Sequence, residues 1–215
     1  SWVYSFSKKY LRDLLSKTYN EYEKLRKEFH ITASTDNLNK FIEENSKFIK
    51  WTVNLKNDFE KNNGLKINEN KLIEANYRPF NKQHLYYDKS LIERPGIFNS
   101  IFPESSNKIN NLAIGISGEI RKDFTVLIVD RISDLEVVGR TQYLPLYFYE
   151  ERKKNSPTLF DTAGENEFIR RDGVSDFILE RTKKQYGKNV GKEDIFYYVY
   201  GILHSPDYRT AFATI

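Results

Sequence analysis

Tyr77-Arg78-Pro79-Phe80-Asn81-Lys82-Gln83-His84-Leu85-Tyr86-Tyr87-Asp88 marks a change of texture in the chain, and the fold class turns on it. Upstream, apolar residues recur at helical spacing; from here on they come in short runs of branched and aromatic side chains. Within the stretch, His84-Leu85-Tyr86-Tyr87 reads as a strand. Pro79 disfavours the helical conformation in the residue before it, so a helix arriving from upstream must stop short of it.

Working back from Tyr77, Asn68 or Asn70 is expected to open a brief helix, and Thr52 another that runs through Leu55 and Phe59 to Asn62-Asn63-Gly64. Ser34-Thr35-Asp36 reads as the cap of a short helix containing Leu38, Phe41 and Ile42. Ser7 caps a long amphipathic helix to about His30, with Leu11, Leu14, Leu15, Tyr22, Leu25 and Phe29 on one stripe and mixed charge opposite. Working forward, Arg94-Pro95-Gly96 reads as a turn. Residues 111–116, 124–129 and 142–149 read as strands, the last with Pro145 at an edge or bulge. Residues 151–168 read as a loop or insert. Helices are expected over 174–186, ending at Gly187, and over 192–204; Ser205-Pro206 then opens a last one. Helices, then strands, then helices argue for an α+β fold: a helical N-terminal third, a small central mixed or antiparallel sheet, and a helical C-terminal segment. Three parts follow: a helical one over 1–76, a strand-rich one over 77–150 and a helical one over 169–215.

The 215 residues are 39% hydrophobic and 30% charged, a globular composition with material for a core. No apolar run approaches a membrane span and no signal sequence opens the chain, so neither a membrane nor a secretory route is expected. Cysteine is absent, which excludes disulfides and thiolate metal sites and suits a cytoplasmic protein. Methionine is absent too, and the chain opens on Ser1-Trp2-Val3-Tyr4, as expected of a piece of a longer polypeptide; processing of a short precursor is the other explanation. The net charge of +4 lies entirely in the first third: residues 1–67 carry 13 basic and 9 acidic side chains, residues 68–215 carry 21 of each. So mild an excess does not distinguish a nucleic-acid partner from an ordinary solvated surface.

Catalytic chemistry is hard to find. His30, His84 and His204 are far apart and none has a second ligand-type residue at metal spacing on its own element. Gly115-Ile116-Ser117-Gly118-Glu119 approximates a nucleophile elbow, but Glu119 stands where a glycine is required, and a turn between two strands explains it better. Glu69-Asn70-Lys71 fits a short nuclease pattern without a partner acid, and Pro206-Asp207 has no acid-x-Lys strand after it. No phosphate-cradling glycine loop precedes a helix. No catalytic or metal-binding residue and no cofactor are therefore assigned to this chain.

What remains is a population of groups suited to nucleic acid between Arg78 and Gln142. Lys82, Gln83, Arg94, Arg140 and Gln142 are the candidates for base edges, because Arg and Lys reach guanine O6 and N7 while Asn and Gln pair with adenine N6 and N7. Arg78, Asn81, Arg121, Lys122 and Arg131 are the candidates for phosphates. Turns held on a rigid sheet are good mounts for such readers. The alternative for any one of them is an ordinary surface residue.

Several segments resemble the C-terminal region of the type ISP, or single-polypeptide type I, restriction–modification enzymes. They are Trp2-Val3-Tyr4-Ser5-Phe6-Ser7, Trp51-Thr52-Val53-Asn54-Leu55-Lys56-Asn57-Asp58, the opening Tyr77–Asp88 stretch, Glu93-Arg94-Pro95, Ile132-Ser133-Asp134-Leu135, Gln142-Tyr143-Leu144-Pro145-Leu146-Tyr147 and the block from Lys192 to Arg209. Tyr143-Leu144-Pro145 departs from the Cys-Phe-Pro often found in the family. The resemblance implies a target-recognition domain that selects a short asymmetric site on double-stranded DNA. It implies upstream partners in the same polypeptide: an adenine methyltransferase, a helicase-like translocase and a nuclease, which use S-adenosylmethionine, ATP and Mg2+. No base-reading residue transfers from the family. The competing reading is a structural coupler that docks onto the methyltransferase and contacts DNA little.

Overall fold

A computed structural model describes residues 2–31, 38–46, 48–93, 95–103, 110–118, 124–152 and 168–212. The chain divides into two compact units: Ser1–Ala75 with Lys82–Gly96, and Asn76–Asn81 with Ile97–Ile215. The architecture is α+β, with helices at both ends of the chain and small antiparallel sheets between them.

In the first unit the short strand β1 (Tyr4–Ser5) leads into α1 (Lys8–Ile31), where Ser7 caps as expected: its Oγ accepts from Tyr10 N at 3.1 Å. Leu11, Leu15, Thr18, Tyr22 and Leu25 are buried, at alternating spacings of four and three that keep one helix face inward. The helices α2 (Leu38–Asn45) and α3 (Val53–Glu60) add Ile42, Leu55 and Phe59. The proposed cap of α2 at 34–36 lies outside the described residues. Aromatic rings dominate this core: Tyr22 and Trp51 both meet Phe59 edge-on, at 5.4 and 5.1 Å between centroids, and the Tyr22 hydroxyl donates to Asn63 O at 2.8 Å. Thr52 is buried and does two jobs, accepting from Leu55 N as the α3 cap and donating to Ser90 O at 2.6 Å.

The helix expected after Asn68 is not there. Asn68 does cap, accepting from Asn70 N at 3.0 Å, but what it caps is a single 3-10 turn, Glu69–Lys71. The chain then becomes β2 (Leu72–Arg78), which returns through Pro79 and Phe80 as β3 (Asn81–Tyr86); β3 lies between β1 and β2. Pairing with β3 outweighs the local helical signal, as tertiary context often does for a short segment. Beneath the 3-10 turn the Lys71 ammonium bonds the buried Asp88 carboxylate, which also accepts from Ser90 N at 2.7 Å. Burial alone would raise the Asp88 pKa; these hydrogen bonds outweigh it and hold the carboxyl below its ordinary range.

The second unit is built on an antiparallel sheet in which β4 (Ala113–Ile116) lies between β5 (Val126–Val129) and β6 (Gln142–Pro145). Alternation along β4 sends Ile114 to one face and Ala113 to the other. Ile114 meets Val126, Leu146 and Phe196; Ala113 meets Val129 and Ile101 of α4 (Phe98–Ile101). The expected strand over 142–149 is two strands in two sheets. After Pro145 the chain turns at Leu146, whose N donates to Leu112 O, and continues as β7 (Tyr147–Glu151). Its antiparallel partner β8 (Phe168–Asp172) begins inside the segment read as a loop, because so short and charged a strand shows itself only through its partner; residues 153–167 lie outside the described residues. Gly173 closes this corner. Its N donates to Leu146 O at 2.7 Å, and a Cβ there would stand 1.9 Å from Pro145 O, so no side chain fits. The helices α5 (Asp176–Tyr186), α6 (Lys192–His204) and α7 (Pro206–Ala211) follow as read from the sequence, with Gly187 at φ 110° ending α5 and Pro206 in the first turn of α7. Phe196, Tyr200 and Leu203 of α6 pack on the Ile114 face of the sheet.

Candidate nucleic-acid interface

Four of the candidate residues sit on the β2–β3 hairpin. Arg78 ends β2; Asn81, Lys82 and Gln83 open β3, with Lys82 exposed and Asn81 and Gln83 half-buried. In the second unit the hairpin is tied down. Asn76 N donates to Ile132 O at 2.9 Å, Asp134 N donates to Asn76 O at 2.7 Å, and Arg78 Nη1 donates to Asp134 Oδ1 at 3.0 Å. The Arg78 guanidinium also lies 4.3 Å from the Tyr77 ring centroid. Arg78 therefore reaches solvent from a fixed position, with part of its charge answered by Asp134.

A second group gathers at one end of the β5-β4-β6 sheet. Gln142 pairs with Ile116, and beyond it Ser117 closes the β4–β5 ladder, its N donating to Thr125 O and its Oγ accepting from Thr125 N at 3.1 Å. Gly118 N donates to Gly139 O at 3.1 Å, and a Cβ on Gly118 would lie 2.6 Å from Arg140 O and 3.5 Å from Gln142 Nε2. Arg140 and Gln142, both exposed, thus stand together on the backbone of Gly118. Arg140 has φ 42°, a conformation a non-glycine residue rarely takes. The loop before it is fixed from within: Thr141 N donates to Leu135 O, Val138 N to Thr141 Oγ1, and the Tyr143 hydroxyl to Asp134 O at 3.1 Å. Burial pushes that hydroxyl up to about 12, so it stays a neutral donor. Among the described residues neither Lys82 nor Arg140 has a carboxylate partner, whereas Arg131 is bonded to Asp130 through Nε at 2.8 Å and Nη2 at 3.0 Å. Arg94, Arg121 and Lys122 lie outside the described residues. The structure brings Arg140 and Gln142 together; Lys82 and Gln83 belong to the other unit.

Several of the residues weighed for catalysis have structural partners; Glu119 lies outside the described residues. Ser117 is held by Thr125, and Glu69 forms an ion pair with Arg12 at 2.9 Å while its neighbour Lys71 serves Asp88. His30 Nε2 bonds Phe59 O at 2.8 Å, and His204 meets the Tyr200 ring edge-on at 4.7 Å. Among the described residues no three His, Asp or Glu side chains gather as a metal site, and no helix is long and apolar enough to cross a membrane.

Two features escaped the sequence reading. Arg170 of β8 stacks over the Tyr147 ring at 4.3 Å, and the Tyr147 hydroxyl donates to the Glu193 carboxylate. That bond, helped by burial, pushes the hydroxyl up to about 12. The adjacent pair Arg170-Arg171 was the available signal. The other is Phe80, at the hairpin tip, with φ 59° and 94% of its surface exposed. Pro79 before it was read only as a helix stop.

Solved structures match nearly the whole chain. The cryoEM structure of a DrdV–DNA complex superposes with a TM-score of 0.81 at 28% identity, covering 99% of this chain and 19% of that one. The ATP-dependent Type ISP restriction-modification enzyme LlaBIII bound to DNA gives 0.76 at 27%, covering 99% and 13%. A nuclease-deletion mutant of the Type ISP restriction-modification enzyme LlaGI, in complex with a DNA substrate mimic, gives 0.74 at 27%, covering 99% and 18%. The chain thus spans less than a fifth of each of these larger polypeptides. No curated protein matches it. The family model for the Type ISP C-terminal specificity domain matches residues 1–215 from end to end, and the chain belongs to that family.

Proposed function

We propose that this chain reads DNA: it is the target-recognition domain that selects a short asymmetric duplex site for the adenine methyltransferase, translocase and nuclease of a larger cytoplasmic restriction–modification polypeptide. The observation that carries this reading is the full-length match to the specificity domain, together with the same fold in enzymes bound to DNA. In this reading the chain performs no catalysis itself; S-adenosylmethionine, ATP and Mg2+ serve domains that lie elsewhere in the polypeptide. Lys82, Gln83, Arg94, Arg140 and Gln142 contact base edges, and Arg78, Asn81, Arg121, Lys122 and Arg131 contact phosphates. Residues 1–76 couple to the methyltransferase, 77–150 read DNA and 169–215 brace the fold. This division follows chain order and cuts across the two compact units.

The deciding experiment is an exchange. Replacing this domain in its full-length parent by that of a relative with a different site should move the methylation pattern to the relative's site. An unchanged pattern refutes the assignment. The isolated chain should bind duplex DNA with an affinity that falls steeply with salt, because each phosphate contact releases counterions.

A further inference from the structure

Phe80 is the most exposed large apolar residue of the described chain, at 94%, and its circumstances are not those of an idle surface side chain. With φ at 59°, a bulky residue occupies the left-handed region that glycine or asparagine fills at little cost. The strain is held by its surroundings. Pro79 fixes the preceding backbone, and the strand leading in is clasped by Asn76 to Ile132, Ser133 and Asp134 and by Arg78 to Asp134. The ring is thus presented on a narrow, braced turn.

The flanking chemistry selects the partner. From Arg78 to His84 the sequence contains no acidic residue, and Arg78 and Lys82 bracket the tip. The sequence neighbours Arg78, Pro79 and Lys82 are exposed as well, and two of the three are cationic, so along the chain the tip presents one large apolar ring among charged groups rather than a run of apolar side chains. A single aromatic on a braced turn beside these cations suits a base stack, where the ring takes a π-face, Arg78 a phosphate and Lys82 a neighbouring base edge.

The geometry points to Phe80 as a wedge that enters duplex DNA at a base step and stacks on an unstacked base. This rests on the DNA-reading function proposed above and adds to it a contact that deforms the duplex, so that the flexibility of the step contributes to site choice. The ring needs no hydrogen-bond code, and the preference it creates is for a step that opens readily.

The test uses the 215-residue chain and a mixed-sequence duplex in which 2-aminopurine replaces every adenine of one strand. Binding of the wild type should raise the fluorescence, which reports unstacking. Phe80→Ala should abolish that rise and weaken binding about 10-fold, within the roughly 5- to 150-fold range of one base–aromatic stack, while leaving the salt dependence unchanged. Phe80→Trp should restore both. Since the ring is exposed, thermal unfolding of Phe80→Ala should match the wild type, which separates a lost contact from a lost fold. If the wild type binds and Phe80→Ala binds equally well with the same fluorescence rise, the wedge is refuted and the DNA-reading function stands. If the wild type does not bind duplex DNA at all, both fall.

Discussion

Phe196 and Phe80 are the same side chain in opposite circumstances. Phe196, in α6, is 4% exposed and closes one face of the β5-β4-β6 sheet with Ile114, Val126 and Leu146. Phe80, on the β2–β3 turn, is 94% exposed and held in a strained conformation. Fully burying a Phe stabilises a fold by about 1.5–3 kcal/mol, so α6 explains itself through stability. The turn does not: it keeps an apolar ring in water on a costly backbone. In a specificity domain, a feature that stability cannot account for is where the partner should be sought.

The comparison is broken or sharpened by four measurements. The largest effect belongs to Phe196→Ala, which should destabilise the chain by about 3–5 kcal/mol in urea unfolding and lose DNA affinity only in step with folded protein. A folded mutant with selectively weakened binding would mean that α6 faces DNA. Next come the exposed pair at the sheet end: alanine at Arg140 or Gln142 should cost about 1–3 kcal/mol on the recognised site in the full-length enzyme, relax one base position, and spare non-specific binding. If methylation patterns are unchanged with both replaced, reading lies elsewhere.

The third measurement concerns the buried carboxylate of Asp88. Its pKa is lowered in the folded chain, so its contribution is complete above the unfolded value of about 3.9 and is lost as pH falls through the folded one. Asp88→Asn should therefore flatten the acid limb of stability measured between about pH 6 and pH 3; an acid limb identical to the wild type's would show that the Lys71 pair is not linked to folding. The smallest effect is expected at the turn. Phe80→Gly relieves about 1–2 kcal/mol of left-handed strain and costs about 0.5–1 kcal/mol of chain entropy, so stability should be unchanged or raised by up to about 1.5 kcal/mol. A fall of more than that would make Phe80 a structural residue and end the contrast with Phe196.

Elements that declare themselves locally were legible in the sequence. Ser7 with the stripe through Leu25 gave α1, Gly187 the end of α5, and Ser205-Pro206 the start of α7. What escaped needs a partner to exist: β2 is a strand because β3 lies beside it, β8 because β7 does, and the break at Leu146 because Leu112 and Gly173 bond it. The same holds for the interface. Residue types suited to DNA were visible, but that Arg140 and Gln142 share one sheet end depends on Gly118, and the exposure of Phe80 depends on a turn geometry that no periodicity encodes. Residues of the resemblance segments hold backbone in place: Ile132 and Asp134 clasp Asn76, and Glu93 Oε2 accepts from Val53 N at 3.1 Å.

Gly173 sets a rule for redesign. A side chain there would collide with Pro145 O, and its own N bonds Leu146. The corner joining β6, β7 and β8 therefore works as a keyed joint, in which 145, 146 and 173 fit only as a set. Surface segments can be grafted from relatives on either side of it to change what the domain recognises. A graft boundary placed between 146 and 173 that brings in any residue but glycine at 173 would separate the key from its lock and cost the fold before it could alter specificity.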